Sequence, residues 1–432
     1  MRHASNYLLR EIAGVPYLLP YGQLIADHRH SMQLNNTGAW LWQQLEEEHT
    51  WEELLTLFAS RYAASPEELP FLEQDLSQFL HALEIYGMLE NCTQDSPMKS
   101  DGILEEHPSP TLSSPSAPPD AAYFLMNVGG LNVKIIGPQE AVPDCFNAFQ
   151  SKAGTVHQTI VLHTAPPSLS AEGTPCRAGA RDTIAQFCSP HCSAGHPLLH
   201  SRDLILYDAD DCYLLLFPSM VQIREIRLSR DASRADVYCI PPWTETCREE
   251  LFHAIRFVFL YLAEKHHMTV LHSASLLYRG RAWLFSGRSG TGKSTHTGLW
   301  HKLLHVPLLN GDLNLLALEQ GQPVIHGLPW CGTSGISDRG THPLGGIILL
   351  KQSPQNFIEP LSADAGQLLV LKRLISPIWT PEQLDCCLHF TADLAEHIYI
   401  ARLHCTPDIS AVETAREAID ACLEIRHPLM QH

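Results

Sequence analysis

The residues with the most specific chemistry lie at 282–295, AWLFSGRSGTGKST, where Gly287-x4-Gly292-Lys293-Ser294 gives the G-x-x-x-x-G-K-[ST] pattern of a phosphate-binding loop. Glycines at this spacing let backbone N–H groups converge on phosphate oxygens, and a helix opening at the loop adds its N-terminal dipole. Ser289, Gly290, Thr291 and Thr295 complete the cradle. Lys293 has the length to reach β- and γ-phosphates, and the Ser294 hydroxyl suits Mg²⁺. This chemistry needs a strand before the loop and a helix after it. Ala282–Phe285 reads as the strand, while Leu299, Trp300, Leu303 and Leu304 have helical spacing. The stretch is read as a nucleotide site.

Two further residues stand where a phosphate site wants them. Val306-Pro307-Leu308-Leu309-Asn310-Gly311-Asp312 is an apolar run ending in a carboxylate, the layout of a strand delivering an Asp to Mg²⁺ at a sheet's C-terminal edge. An Asp that merely opens a turn is the plainer alternative. His272, in Leu271-His272-Ser273-Ala274-Ser275, reads when taken alone as a hydrogen-bonded core histidine.

Composition bounds the rest. The 432 residues suffice for two or three domains with their own cores. A net charge of −18 argues against non-specific nucleic-acid binding and against an anionic membrane surface. The longest apolar run, Phe257–Leu262, falls far short of a membrane span. The 13 cysteines are scattered and odd in number, unlike a secreted disulfide framework, so the chain is read as reduced and cytoplasmic.

Residues 1–92 form the first expected domain. Tyr7–Leu9, Pro16–Leu19 and Ser31–Leu34 read as small strands separated by turn residues. Three helices follow: one capped within Asn35-Asn36-Thr37, one capped at His49-Thr50, and one behind a Ser65-x-x-Glu68 capping box that carries Leu72, Leu76, Phe79, Leu80 and Leu83. Strands and three short helices suggest a winged helix. Thirteen Asp/Glu against four Arg and no Lys make it a poor DNA binder. The run Met32-Gln33-Leu34-Asn35-Asn36-Thr37-Gly38-Ala39-Trp40-Leu41-Trp42, with Gln23-Leu24-Ile25-Ala26 before it and Trp51-Glu52-Glu53-Leu54 after it, resembles the PqqD-like family of peptide chaperones, also called RiPP recognition elements. That resemblance implies a leader peptide added as a strand beside Ser31, Met32, Gln33 and Leu34. Leu72, Leu76 and Phe79 then line the groove or form the core.

Residues 93–120, rich in Pro and Ser, read as a disordered linker. From 121 to 244 a β-rich subdomain is expected on the runs Tyr123–Val128, Leu131–Ile136, Thr159–His163, Leu204–Tyr207 and Tyr213–Phe217. Cys188-x3-Cys192-x3-His196 holds zinc-type ligands. Its spacing departs from C-x2-C and no second tight pair follows, so a surface loop rich in Cys and His is the preferred reading.

Residues 245–432 are expected to form an α/β phosphate-loop domain with a buried helix at Glu249–Lys265, a strand at Thr269–Tyr278, a buried strand at Pro343–Leu350 and a hairpin-like stretch at Gln352–Leu361. From His272 through the loop to Asp312 the chain is similar to the HPr kinase/phosphorylase and PEP carboxykinase-like group. The resemblance implies a His before the loop hairpin, an acidic base on the acceptor hydroxyl, and a kinase fold. Gly311, where a second acid would stand, leaves Asp312 as base, metal ligand or both. His326-Gly327-Leu328-Pro329-Trp330-Cys331-Gly332-Thr333-Ser334-Gly335 resembles a GxPWxG segment of kinase-like relatives fused to PqqD-like modules, either a loop at the phosphates or a structural corner. Together the resemblances imply an ATP- and Mg²⁺-dependent kinase, catalysed through Asp312, His272 and Lys293, that phosphorylates a Ser or Thr of a ribosomal precursor peptide held by its leader. A small-molecule kinase and a nucleotide-gated peptide-binding protein are the rivals, and a homo-oligomer stays open.

Overall fold

A computed structural model describes residues 1–90, 122–164, 197–209 and 211–426. The linker expected at 93–120 and the Cys188/Cys192/His196 group lie outside them. The chain is mixed α/β and divides into two units, Met1–Pro118 and Pro119–His432.

In the first unit, Tyr7–Ile12 and Val15–Pro20 form a hairpin whose two-residue turn, Ala13-Gly14, takes positive φ at both positions. That turn matches the right-handed twist of the strands. Met32–Gln33 pairs antiparallel with Val15–Pro20 and forms the sheet's outer edge. Helices Asn36–Gln44, Trp51–Tyr62 and Leu69–Ile85 follow. Asn35 caps the first by accepting the Gly38 N–H at 2.7 Å, and Thr50 with Glu53 forms a full capping box on the second. The box expected at Ser65 and Glu68 forms only a turn. The Ser65 hydroxyl donates to the Glu68 carboxylate at 2.9 Å, so no cap side chain receives the helix N–H groups and the helix opens later, at Leu69. Pro70 in its first turn loses nothing there, where its missing N–H has no intrahelical partner. Leu18, Leu41, Leu45, Leu54, Phe58, Leu76 and Leu83 close the core.

In the second unit, eight strands make a first sheet, among them the five expected runs; Ile223–Ser229 and Arg234–Cys239 join them. Arg, Glu and Asp alternate with apolar residues in these two strands, and their polar side pairs on the sheet surface, as His163 does with Asp236 at 2.7 Å. The helix Glu245–Lys265 covers the other face. Its Leu251, Ile255 and Phe259 share one core with Val270, Leu313 and Leu315 of the second sheet and with Trp330, which follows its strand Gln322–His326. Residues 121–244 and 245–432 are thus packed through a common interior.

The second sheet carries the site. Thr269–Tyr278 and Arg281–Ser286 form a hairpin; Leu313–Glu319 and Gln322–His326 form another. The long strand Thr341–Gln352 pairs antiparallel with Gln322–His326 at its start and parallel with Arg281–Ser286 further on, which closes a ring of five strands. Tyr399–Cys405 extends the parallel set. Helices Lys293–Leu304 and Ile409–Arg426 flank one face, Ala363–Leu371 and Pro381–His397 the other. The stretch 352–361 makes no hairpin with the strand before it. Phe357–Glu359 pairs instead with Tyr399–Cys405, where Glu359 meets Arg402 at 3.0 Å. Among the described residues, no helix is long and apolar enough to cross a membrane.

Candidate phosphate and nucleoside site

The loop from Gly287 to Gly292 joins a fully buried strand end to the helix Lys293–Leu304. A Cβ at Gly287 would come 2.5 Å from Thr291 Oγ1, so the loop closes only around a glycine. Gly290 and Gly292 take φ of +77° and +94°, the left-handed region glycine enters without strain. Thr291 Oγ1 donates to the Arg288 carbonyl at 2.8 Å, and Lys293 Nζ reaches back to the Gly287 carbonyl at 3.4 Å. The helix therefore presents its first N–H groups toward the loop, the arrangement that binds anions.

Strand register brings the other residues in. Ser273 pairs with Ser286, so His272 lies beside the strand end from which the loop springs; Ser286 Oγ donates to the His272 carbonyl at 2.7 Å. The expected strand ending at Asp312 is interrupted instead. Leu308–Asn310 and Leu313–Glu319 both pair with Thr269–Tyr278; the register shifts by one residue between Leu308 and Asn310, and Gly311-Asp312 bends between the two strands. The Asp312 carbonyl still accepts the Ser273 N–H at 2.9 Å, which holds residue 312 beside His272. His272 Nε2 and Asp312 Oδ1 stand 3.1 Å apart. Behind them Ser273, Ser275, Asn310 and Asn314 form a buried hydrogen-bonded network: Asn314 Nδ2 donates to the Ser273 carbonyl at 2.7 Å, Ser275 Oγ to Asn314 Oδ1 at 2.7 Å, and the Asp312 N–H to Asn310 Oδ1 at 3.0 Å. A satisfied buried network fixes one geometry.

The GxPWxG segment is both corner and wall. Leu328 and Trp330 are core residues; Trp330 Nε1 donates to the Phe252 carbonyl at 2.9 Å, anchoring the segment to the buried helix. Beyond it, Gly332 passes so close that a Cβ there would lie 2.9 Å from Asp312 Cβ. Gly327 is tighter still: a Cβ would sit 1.6 Å from the Asp338 carbonyl oxygen. Because that obstacle is backbone, Gly327→Ala is expected to cost about 3 kcal/mol and to lower the melting temperature by roughly 5–10 °C. A thermal melt shifted by less than about 2 °C would contradict this packing.

His272, Ser289, Gly290, Gly292, Lys293, Ser294, Thr295 and Asp312 line one pocket of ≈ 360 Å³ together with Gly311, Cys331 and Ser334. Gly290, Thr291, Gly292 and Thr295 also line a second, of ≈ 610 Å³, with His296, Leu299, Pro354 and Pro407. Gly287 lines neither. This second pocket was not foreseen; its signal is the parallel strands themselves, whose C-terminal ends at Gln352-Ser353 and Cys405-Thr406 form its far wall. Of the expected groove residues, Leu34 and Leu76 are buried in the first unit's core, Met32, Leu72 and Phe79 pack partly buried against it, and Ser31 and Gln33 remain at the edge.

The His272 hydrogen bond holds the Asp312 carboxyl below its usual range, against the opposing effect of burial and with help from Lys293 and Arg256. Burial lowers the Lys293 ammonium. Arg256, on the buried helix, has a buried Nε with no hydrogen-bond partner among the described residues. His296, beneath the second pocket, accepts from Trp300 Nε1 at 3.1 Å, and burial lowers its pKa to about 4. Its folded value lies below the unfolded one, so the stability it confers is whole above about pH 6.5 and is lost as pH falls toward 4. The loss amounts to at most ~3 kcal/mol. Urea melts at pH 7 and 4.5 should show His296→Gln losing less stability on acidification than the parent; an equal loss would clear His296 of that role.

Loop glycines in left-handed conformations, an open helix N-terminus and a lysine suit a triphosphate. Among the described residues no group of three His, Cys, Asp or Glu could hold a metal alone. One carboxylate and one hydroxyl are what Mg²⁺ needs when phosphate oxygens supply further ligands.

The family model for coenzyme PQQ synthesis protein D (PqqD) matches residues 23–89, so the first unit contains a PqqD domain. No curated protein sequence matches the chain. Among solved structures, the Hpr(Ser) kinase/phosphatase from Coxiella burnetii is similar at 12% identity, over 36% of this chain and 98% of that one, with a TM-score of 0.22.

Proposed function

We propose that the protein is an ATP-dependent phosphotransferase that phosphorylates a Ser or Thr hydroxyl of a ribosomally made precursor peptide, with the leader held by the winged-helix PqqD unit at residues 1–92 and the chemistry done by a kinase domain at 245–432. The observation that carries the reading is the His272–Asp312 pair, 3.1 Å apart and lining one pocket with Lys293 and Ser294. Bound ATP with Mg²⁺ supplies the phosphoryl group and spreads its developing charge. Lys293 and the first N–H groups of its helix would hold the phosphates, and Ser294 and Asp312 would serve as the metal's protein ligands. The more apolar second pocket suits the nucleoside. Asp312, kept ionised by His272, takes the acceptor hydroxyl's proton as that oxygen bonds to the γ-phosphorus and the bond to the departing ADP oxygen breaks. Transfer of this kind depends on position and charge more than on covalent chemistry.

Strand addition supports the peptide half. The Leu34 N–H donates to the Pro16 carbonyl at 2.9 Å, so by the alternation of an antiparallel ladder the backbone groups of Ser31 and Gln33 point away from the sheet. An extended peptide pairs with such an edge. Incubating the full-length protein with ATP, Mg²⁺ and candidate precursor peptides, and weighing the products, tests the whole reading. Gain of one phosphoryl group on a peptide, matched by ADP, is the expected result; ATP binding with no turnover on any peptide would leave a nucleotide-gated binding protein.

A further inference from the structure

Phe79 of helix Leu69–Ile85 and Leu34 both lie against Gly38, where a Cβ would meet Phe79 Cε2 at 3.2 Å and Leu34 Cδ2 at 3.6 Å. That contact marks one end of the groove between the edge strand and the helix. At the other end is a recess of ≈ 320 Å³, walled by His28, Arg29 and His30 from the loop before the strand and by Ile85, Tyr86 and Met88 from the helix terminus. Two features set it apart. Ile85 and Tyr86 are 66% and 50% exposed, so they add apolar surface the core does not use. The three neighbours His28-Arg29-His30 concentrate basic groups within residues 1–92, where the other Arg, Lys, Asp and Glu are three Arg, no Lys and thirteen Asp/Glu.

Arg29 is exposed, and its guanidinium lies over Gly87, where a Cβ would come 3.4 Å from Nη1. It forms no ion pair with a carboxylate among the described residues. Asp27, the one acid on the rim, accepts from Gln23 Nε2 at 2.8 Å. A cation without a counter-ion, beside exposed apolar walls and in line with an open strand edge, matches an acidic side chain on an extended peptide.

We infer that this recess is a specificity pocket for an Asp or Glu of the leader peptide, seated just beyond the added strand with the Arg29 guanidinium as its counter-ion and its neighbour in the peptide lying on Ile85 and Tyr86. The inference rests on strand addition at Met32–Gln33. It assigns the leader a chemistry: an alternating apolar segment with an acid on one flank.

A phage-displayed dodecapeptide library panned on the full-length protein and on Arg29→Glu tests it. The parent is expected to select Asp or Glu on one flank of an alternating apolar run, and Arg29→Glu to select Lys or Arg there. A synthetic copy of the parent's best peptide should bind Arg29→Gln about threefold and Arg29→Glu about tenfold more weakly, with the difference shrinking in high salt. No acidic enrichment, or equal affinity for all three proteins, would overturn the pocket. The same peptide N-methylated at alternate backbone nitrogens tests strand addition without altering the protein. Lost binding there with no Arg29 effect leaves strand addition standing and the pocket refuted; retained binding, or no binder from any panning, counts against both.

Discussion

Asp312→Asn is expected to lower phosphoryl transfer by about three orders of magnitude while the nucleotide still binds. The amide is close to isosteric, so the buried network of Ser273, Ser275, Asn310 and Asn314 that holds residue 312 should survive. What is lost is the charge that receives the acceptor's proton and holds the metal. Lys293 and Arg256, both electrostatically coupled to Asp312, lose a neutralising neighbour, so affinity for an anionic nucleotide should hold or rise. Lys293→Ala differs: it removes a phosphate contact and should weaken the nucleotide itself. The leader site lies on the other unit, so neither change should shift leader affinity by tenfold, ~1.4 kcal/mol.

The pH profile refines this expectation. Asp312 has a depressed pKa, so it stays ionised above the ordinary carboxylate value of about 4 and loses its role only as pH falls through its own lower value. The acid limb due to Asp312 should therefore lie below about pH 4. His272→Asn removes the largest cause of that depression and should move the limb upward. Single-turnover rates across pH would show it. A rate for Asp312→Asn within tenfold of the parent would remove this carboxylate from the chemistry and leave His272 as the group to examine.

The parts of this site readable in the sequence are those set by local rules. Gly287, Gly290, Gly292, Lys293 and Ser294 belong to one short loop whose backbone demands only glycine meets. Asn35 and Thr50 caps follow from neighbours three residues on. What the sequence hid is non-local. His272 meets Asp312 across strands forty residues apart, and the register shift between Leu308 and Asn310 depends on how that strand pairs with Thr269–Tyr278. Asn310 and Asn314 look like loop residues until the ladder buries them. The second pocket is built from the ends of strands Thr341–Gln352 and Tyr399–Cys405, which no single stretch reveals. Ser65 and Glu68 show the converse failure: the pattern was present, but the hydroxyl was taken as a donor.

Severing the chain should separate the recognition reading from its small-molecule rival. If the leader docks on Met1–Pro118 and the hydroxyl is modified on Pro119–His432, the covalent connection turns the second encounter into an intramolecular one. At sub-saturating peptide, the two fragments mixed at equal concentration should then run about a hundredfold slower than the intact chain. The second fragment carries His272, Lys293, Ser294 and Asp312 with the sheet that positions them, so its chemistry should persist. Raising the peptide concentration should accordingly recover much of the rate. Excess leader unit should not, because a detached unit sequesters the peptide without delivering it. A kinase acting on a small molecule makes the opposite forecast, with fragment and intact chain equally fast on their acceptor. Comparing initial rates over a range of peptide concentrations decides the matter: equal rates at the lowest concentrations would mean that the PqqD unit does not serve the reaction.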